Sequence, residues 1–402
     1  MRRRTSMPVL ADPVWWSRPA GRPGSALRVL VDCVREHPIE EAVPALAGYV
    51  GRRGVAPLHD LAIRHGVIGC LWTALRAGGL DGRPDTGPTR EAYTAALGRH
   101  LRTLSDLDLV LDVLAGFNVT PLVMKGPVLA ELVYRRPDLR GYVDLDLLVP
   151  ATEFPLALSG LERAGCTVYE RNWPLVRDRR LGALRLTTPA GGVLDLHWHI
   201  FYEHAVRAAM PVDVAVLRER ARTVLLGGRQ VRTLDPLDTL AHVAVHAALD
   251  GGDRLVWLKD IEQALLYRAV PDWEALAERA GQWHAAPGIA LMLHRARRVL
   301  GAPVPGAVLG QLVPDRAWRG LVRGSDAVPP LSAGRASLGR AVARAARSDG
   351  PASRRELARR ATAFLHGRDR ERFDPDDPES AAYPAGGAAE RNAYLDDVRH
   401  GR

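Results

Sequence analysis

The stretch "GYVDLDLLVP" (residues 141–150) sets two aspartates one residue apart inside an otherwise apolar run. In an extended strand, successive side chains point to opposite faces. Asp144 and Asp146 therefore share one face, and Val143, Leu145 and Leu147 take the other. Two carboxylates a single pleat apart repel each other unless water, a base or a cation lies between them. The strand is apolar enough to be buried, so the pair needs a counter-charge from elsewhere.

Two neighbouring stretches could supply the rest of such a site. Downstream, "GGVLDLHWHI" (191–200) alternates Asp195, His197 and His199 with Leu194, Leu196 and Trp198, which makes one strand face polar and the other apolar. Upstream, "VMKGP" (123–127) reads as a strand ending at Lys125-Gly126, with Pro127 at the start of a helix. Backbone N–H groups and a lysine at such a junction suit a phosphate. Three carboxylates on one sheet face suit Mg²⁺ or Mn²⁺, cations that take oxygen ligands. A pair of such ions can stabilise the entering and leaving oxygens of a phosphoryl displacement.

Around these motifs the chain divides into five parts. Residues 1–25 carry Arg, Pro, Ser and Trp without periodicity, and fixed structure is not expected there. Residues 26–116 repeat apolar positions at three- and four-residue intervals and form a helical region, its last helix opening near Thr89 and closing at Gly116. From 117 to 202 strands and helices alternate, "LGALRLTTPAGGVLDLHWHIF" giving two strands around a Gly-Gly turn. Residues 203–301 form a second helical region. Residues 302–402 are an Arg-, Ala- and Pro-rich, loosely ordered tail. The fold class is α+β, a small mixed sheet between two helical regions.

Composition narrows the function classes. The hydrophobic fraction of 47% and charged fraction of 25% are those of a globular protein. Cys33, Cys70 and Cys166 are odd in number and far apart, which fits neither a disulfide framework nor a zinc pattern and suggests a reducing cytoplasm. "MRRRTSMPVLADPVWWSRPAGRPG" has no apolar stretch after its arginines, so no signal peptide or membrane partner is expected. The net charge of +9 is concentrated between Arg335 and Arg372, where eleven arginines face four acids. That basic stretch offers a nucleic acid a contact surface, but solvated Arg-rich helices explain it better.

Lys-Gly at a strand end, a helix, Arg140, the Asp-x-Asp and a hairpin ending in Asp-Leu-His-Trp together resemble the nucleotidyltransferase fold of the DNA polymerase β superfamily. Within it, the chain resembles a bacterial family of uncharacterised nucleotidyltransferases over about residues 45–270, including the flanking helices "LAIRHGVIGCLWTAL" and "DTLAHVAVHAAL". The resemblance implies a nucleoside triphosphate donor and an Mg²⁺ cofactor. Asp144 and Asp146 would ligate the nucleotide-bound metal. Asp195 would complete a second metal site and help deprotonate the acceptor. Many superfamily members carry a serine after the glycine; here Pro127 stands there, so Lys125, Gly126 and Arg140 are left to hold phosphate.

Other readings of single residues stay open. Arg140 could instead neutralise the aspartates. His197 and His199 would either orient Asp195 or the acceptor, or be structural. His242 and His246 are four apart on one helix face, without the glutamate of a zinc-protease motif, and suit packing or a cleft wall. Asp260 lines the same cleft or packs a helix. The acceptor is undefined (a small molecule, a peptide or a protein). A tailoring enzyme using a sugar-nucleotide or other phosphorylated donor, and a non-catalytic or antitoxin-like binding module, are the alternatives.

Overall fold

The computed structural model describes residues 24–36, 39–267, 272–313 and 387–401. Seven strands form one mixed sheet: β1 (Leu122–Met124), β2 (Asp144–Leu148), β3 (Thr167–Val168), β4 (Ala183–Thr187), β5 (Val193–His197), β6 (Arg222–Leu226) and β7 (Arg229–Thr233). Their order is β3-β4-β5-β2-β1-β7-β6. The acid-bearing β2 is thus interior, antiparallel to β1 and parallel to β5. The α+β class holds.

Strand alternation sorts the side chains of this sheet. Leu145, Leu147, Leu194 and Leu196 enter a core with helix Phe154–Arg163 and the second half of the 30-residue helix Gly87–Gly116. Leu122, Met124 and Leu148 point the opposite way, into a larger core shared by helices from both flanks of the sheet. The N-terminal helices Ala26–Val34 and Ile68–Ala77 therefore pack in one core with Pro236–Leu249, Leu255–Tyr267 and Ala286–Leu300. A polar tie reinforces the junction: Lys259 Nζ lies 3.0 Å from Glu36 and 2.7 Å from Glu262.

Three local outcomes differ from the sequence reading. The segment 203–301 is not wholly helical, because β6 and β7 form a hairpin that joins the sheet through β1. Its Gly227-Gly228 turn has φ of +58° and +86°, the conformation a tight two-residue hairpin requires. The long helix begins at Gly87 rather than beyond Thr89, and Thr89 is buried against His59 Nδ1 at 3.2 Å. Within the tail, Ala388–Arg399 is a helix docked on the sheet domain. Its buried Tyr394 donates to the Leu181 carbonyl at 2.8 Å, and Asp397 pairs with Arg177 at 2.9 Å. The basic stretch 335–372 and residues 1–23 lie outside the described residues. Among the described residues no helix is long and apolar enough to cross a membrane, and the three cysteines are buried and free.

Helix Ile68–Ala77 is pressed against the turn Pro137–Leu139 that leads into Arg140. A Cβ on Gly69 would fall 2.0 Å from the Asp138 carbonyl oxygen. Gly69→Ala should therefore cost about 1–3 kcal/mol or more, read as a lowered urea midpoint. Gly98→Ala, on the long helix with nothing within 4 Å of its added Cβ, should gain about 0.5–1 kcal/mol. Equal effects at the two positions would show that the close approach is not as described.

Candidate metal and nucleotide site

Register brings the acids together. In the parallel pair β2–β5, Asp146 lies directly opposite Asp195, and Asp144 is one pleat away on the same face. Asp146 is 2% exposed. Its Oδ1 lies 3.0 Å from Lys125 Nζ and 3.0 Å from His197 Nε2. Burial opposes its charge, but the Lys125 ammonium and the His197 hydrogen bond outweigh burial and hold its carboxyl well below the usual range. Burial likewise works against the Lys125 ammonium, and the charges of Asp146 and Asp144 reverse that and raise its pKa.

Lys125 reaches this position through an unusual turn. Lys125 and Gly126 both have positive φ, +39° and +21°. A Cβ on Gly126 would meet the Asp144 carbonyl oxygen at 2.8 Å, so only glycine allows the helix to start this close to β2. A lysine at positive φ is backbone strain of the kind found at functional sites.

Asp195 is held from the other side. Arg185, its antiparallel partner on β4, places Nε 3.0 Å from Asp195 Oδ1. The backbone N–H of Arg185 donates to both carboxylate oxygens of Glu170, at 3.0 and 3.1 Å, while burial pushes the Glu170 carboxyl up to about 7. Neither Arg185 nor Glu170 stood out in the sequence. Arg185 was within reach: a hairpin closed by the Gly-Gly turn puts it opposite Asp195 as a cross-strand pair.

Asp144 is the acid left least compensated. Burial first, then the charges of Asp146 and Asp195, raise its carboxyl to about 6. The donor set fits a divalent cation. Ligand atoms of Asp146, Asp195 and His197 all lie within 4.8 Å of one another, and an added positive charge would relieve the penalty on Asp144.

The remaining candidates are placed differently. Arg140 grips Asp260 with two parallel bonds, Nε to Oδ1 at 2.8 Å and Nη2 to Oδ2 at 3.0 Å. Its Nη1 donates to the Gly126 carbonyl at 3.2 Å, and Tyr134 donates to Asp260 Oδ1 at 2.7 Å. Arg140 thus meets neither aspartate of the pair; it ties helix Leu255–Tyr267 to the Lys125-Gly126 turn. Asp260 is a buried anchor rather than a cleft acid. His199 donates from Nε2 to the Val212 carbonyl and accepts at Nδ1 from the Phe201 N–H, both at 3.1 Å. Burial, with Arg207 nearby, lowers His199 to about 4, so it is a neutral structural residue. His242 is buried, and burial together with the Lys125 charge keeps it neutral. His246 is half-buried, 3.4 Å from Asp250 and edge-on to Trp257.

Residues 54–301, more than half of the chain, match the family described as uncharacterised nucleotidyltransferase, and the chain belongs to that family. No curated protein matches it. Among solved structures it is similar to an antigenic nucleotidyltransferase-like protein from Paracoccidioides brasiliensis, at 15% identity over 40% of this chain and 74% of that one. The TM-score of 0.29 is too low for that likeness to carry mechanistic weight.

Two measurements test these assignments. Removing one partner of a buried ion pair typically costs about 3–5 kcal/mol. Arg140→Met should destabilise the fold by that order in denaturant titrations; an unchanged midpoint would mean that Arg140 is free for a ligand. Asp144 behaves in the opposite way. Its folded-state pKa is raised, so its contribution is favourable below about pH 4 and is lost as pH rises through about 6. In EDTA, Asp144→Asn should therefore be more stable than wild type at pH 7–8, by something on the order of 1 kcal/mol. The gain should vanish below about pH 4. A gain of equal size at both pH values would contradict the raised pKa.

Proposed function

We propose that the protein is a divalent-cation-dependent nucleotidyltransferase of the DNA polymerase β type. It would move a nucleoside monophosphate from a nucleoside triphosphate to an acceptor hydroxyl, amine or phosphate. The observation that carries this reading is the parallel register setting Asp195 beside Asp146, with Asp144 one pleat away and Lys125 on the same carboxylate.

When bound, Mg²⁺ or Mn²⁺ would neutralise triphosphate charge and polarise the reacting phosphorus. The chain's own residues divide the remaining work. Asp144 and Asp146 would hold the cation that accompanies the donor. Lys125, fixed by the turn at Gly126, would contact the phosphates as a point charge. Asp195, aimed by Arg185, would take the acceptor's proton as the acceptor oxygen or nitrogen bonds to the α-phosphorus. The bond from that phosphorus to the bridging oxygen breaks, and pyrophosphate leaves with the electron pair. The two rivals raised by the sequence predict no such triphosphate dependence.

Calorimetric titration of the four common nucleoside triphosphates, with Mg²⁺ and with EDTA, tests the reading. One of them should bind only with Mg²⁺, and binding should be lost in the Asp144→Asn/Asp146→Asn double variant. Lys125→Ala should weaken binding about tenfold or more, as expected for a charged hydrogen bond. A folded wild type that binds none of the four would sink the donor assignment.

A further inference from the structure

We infer that His197 is a direct ligand of an ion held between Asp146 and Asp195, so that this centre is two carboxylates and one imidazole rather than all oxygen, and that it favours Mn²⁺ over Mg²⁺. This rests on the reading of the acid cluster as a metal site.

The alternation of β5 puts His197 on the same face as Asp195, two residues on, beside Leu148 of β2. Its ring is oriented at both nitrogens. Nδ1 lies 3.3 Å from the His199 carbonyl oxygen and Nε2 lies 3.0 Å from Asp146 Oδ1. Ligand atoms of His197, Asp146 and Asp195 lie within 4.8 Å of one another, close enough for one ion to take all three. With an ion on Nε2, the Nδ1–H would face the His199 carbonyl. An imidazole whose far N–H is held by a backbone carbonyl is the usual arrangement of a metal-bound histidine.

The neighbouring histidines do not share this arrangement. His199 uses both nitrogens within the fold. His242 is not in the cluster of converging ligand atoms, which joins His197 to Asp146 and Asp195. A metal on His197 would also meet the third group of that cluster, Asp195, whose carboxylate converges on the same point. Ligand chemistry then sets the preference. An all-oxygen set suits Mg²⁺, whereas imidazole nitrogen shifts a site toward first-row transition ions, of which Mn²⁺ also accepts carboxylates readily.

Pulsed electron paramagnetic resonance of the full-length chain loaded with Mn²⁺ reads the ligand directly. We expect echo modulation from one coordinated imidazole nitrogen, changing from the ¹⁴N to the ¹⁵N pattern when the wild type is labelled with ¹⁵N-histidine. The modulation should be absent in His197→Phe and His197→Gln and retained in His242→Phe. In calorimetry the His197 variants should lose at least about tenfold in Mn²⁺ affinity and much less in Mg²⁺ affinity. Mn²⁺ bound without histidine modulation would overturn the inference and leave the proposed function standing. Modulation that survives in the His197 variants, or equal losses for the two ions, would also overturn it. A wild type that binds no Mn²⁺, with or without a nucleoside triphosphate, would overturn both. Even if the His197 variants fail to fold, a labelled wild type without histidine modulation, or modulation lost in His242→Phe, would overturn the inference.

Discussion

The buried carboxylate of Asp146 is the constraint around which this protein is arranged. An ionised acid removed from water is costly, and the fold compensates it with Lys125 from one side and His197 from the other, both at 3.0 Å. Each contact has a structural prerequisite. Lys125 arrives only because Gly126 lets the following helix begin against the backbone of β2. His197 arrives because β5 runs parallel to β2 in a register that also delivers Asp195. Unequal compensation follows: Asp146 is held ionised, while Asp144 is left with a carboxyl raised to about 6. Acids that destabilise their own fold are characteristic of sites built for a ligand.

The helical flanks have a direct part in this arrangement. Arg140 follows a turn wedged against Gly69 of an N-terminal helix, and it grips Asp260 of a C-terminal helix. Through Nη1 the same guanidinium reaches the Gly126 carbonyl at the start of the lysine-bearing turn. The turn that aims Lys125 is therefore braced by both flanks. A bidentate arginine suits the task, since its planar fork fixes orientation as well as distance. Packing of both flanks into one core lets them act as a single support.

Much of the site was legible because strand alternation is a strict rule. A period of two places Asp144 with Asp146 and Asp195 with His197 from the sequence alone. The partners of charged residues were less legible. Arg140 has the spacing of a phosphate ligand, yet Asp260, 120 residues away, takes it. His199 follows the same alternation as His197, but the chain leaves β5 after His197 and folds its ring onto Val212. The hairpin β6–β7 carried a Gly-Gly turn signal but had mixed polarity, as expected for strands at a sheet edge with Leu225 exposed. The docked helix Ala388–Arg399 lies among breaker-rich stretches, and its attachment through Tyr394 is entirely tertiary.

The sequence by itself determined the α+β class, the family and the identity of the acids, because each depends on local periodicity and short motifs. Tertiary structure decided which basic residue meets which acid. Lys125, Arg140 and Arg185 are equally plausible partners when read along the chain. Only the antiparallel β1–β2 register, the docking of the helix bearing Asp260 and the β4–β5 hairpin assign them, respectively, to Asp146, Asp260 and Asp195. Charge pairing acts over a few ångströms in space and carries no record of separation along the chain.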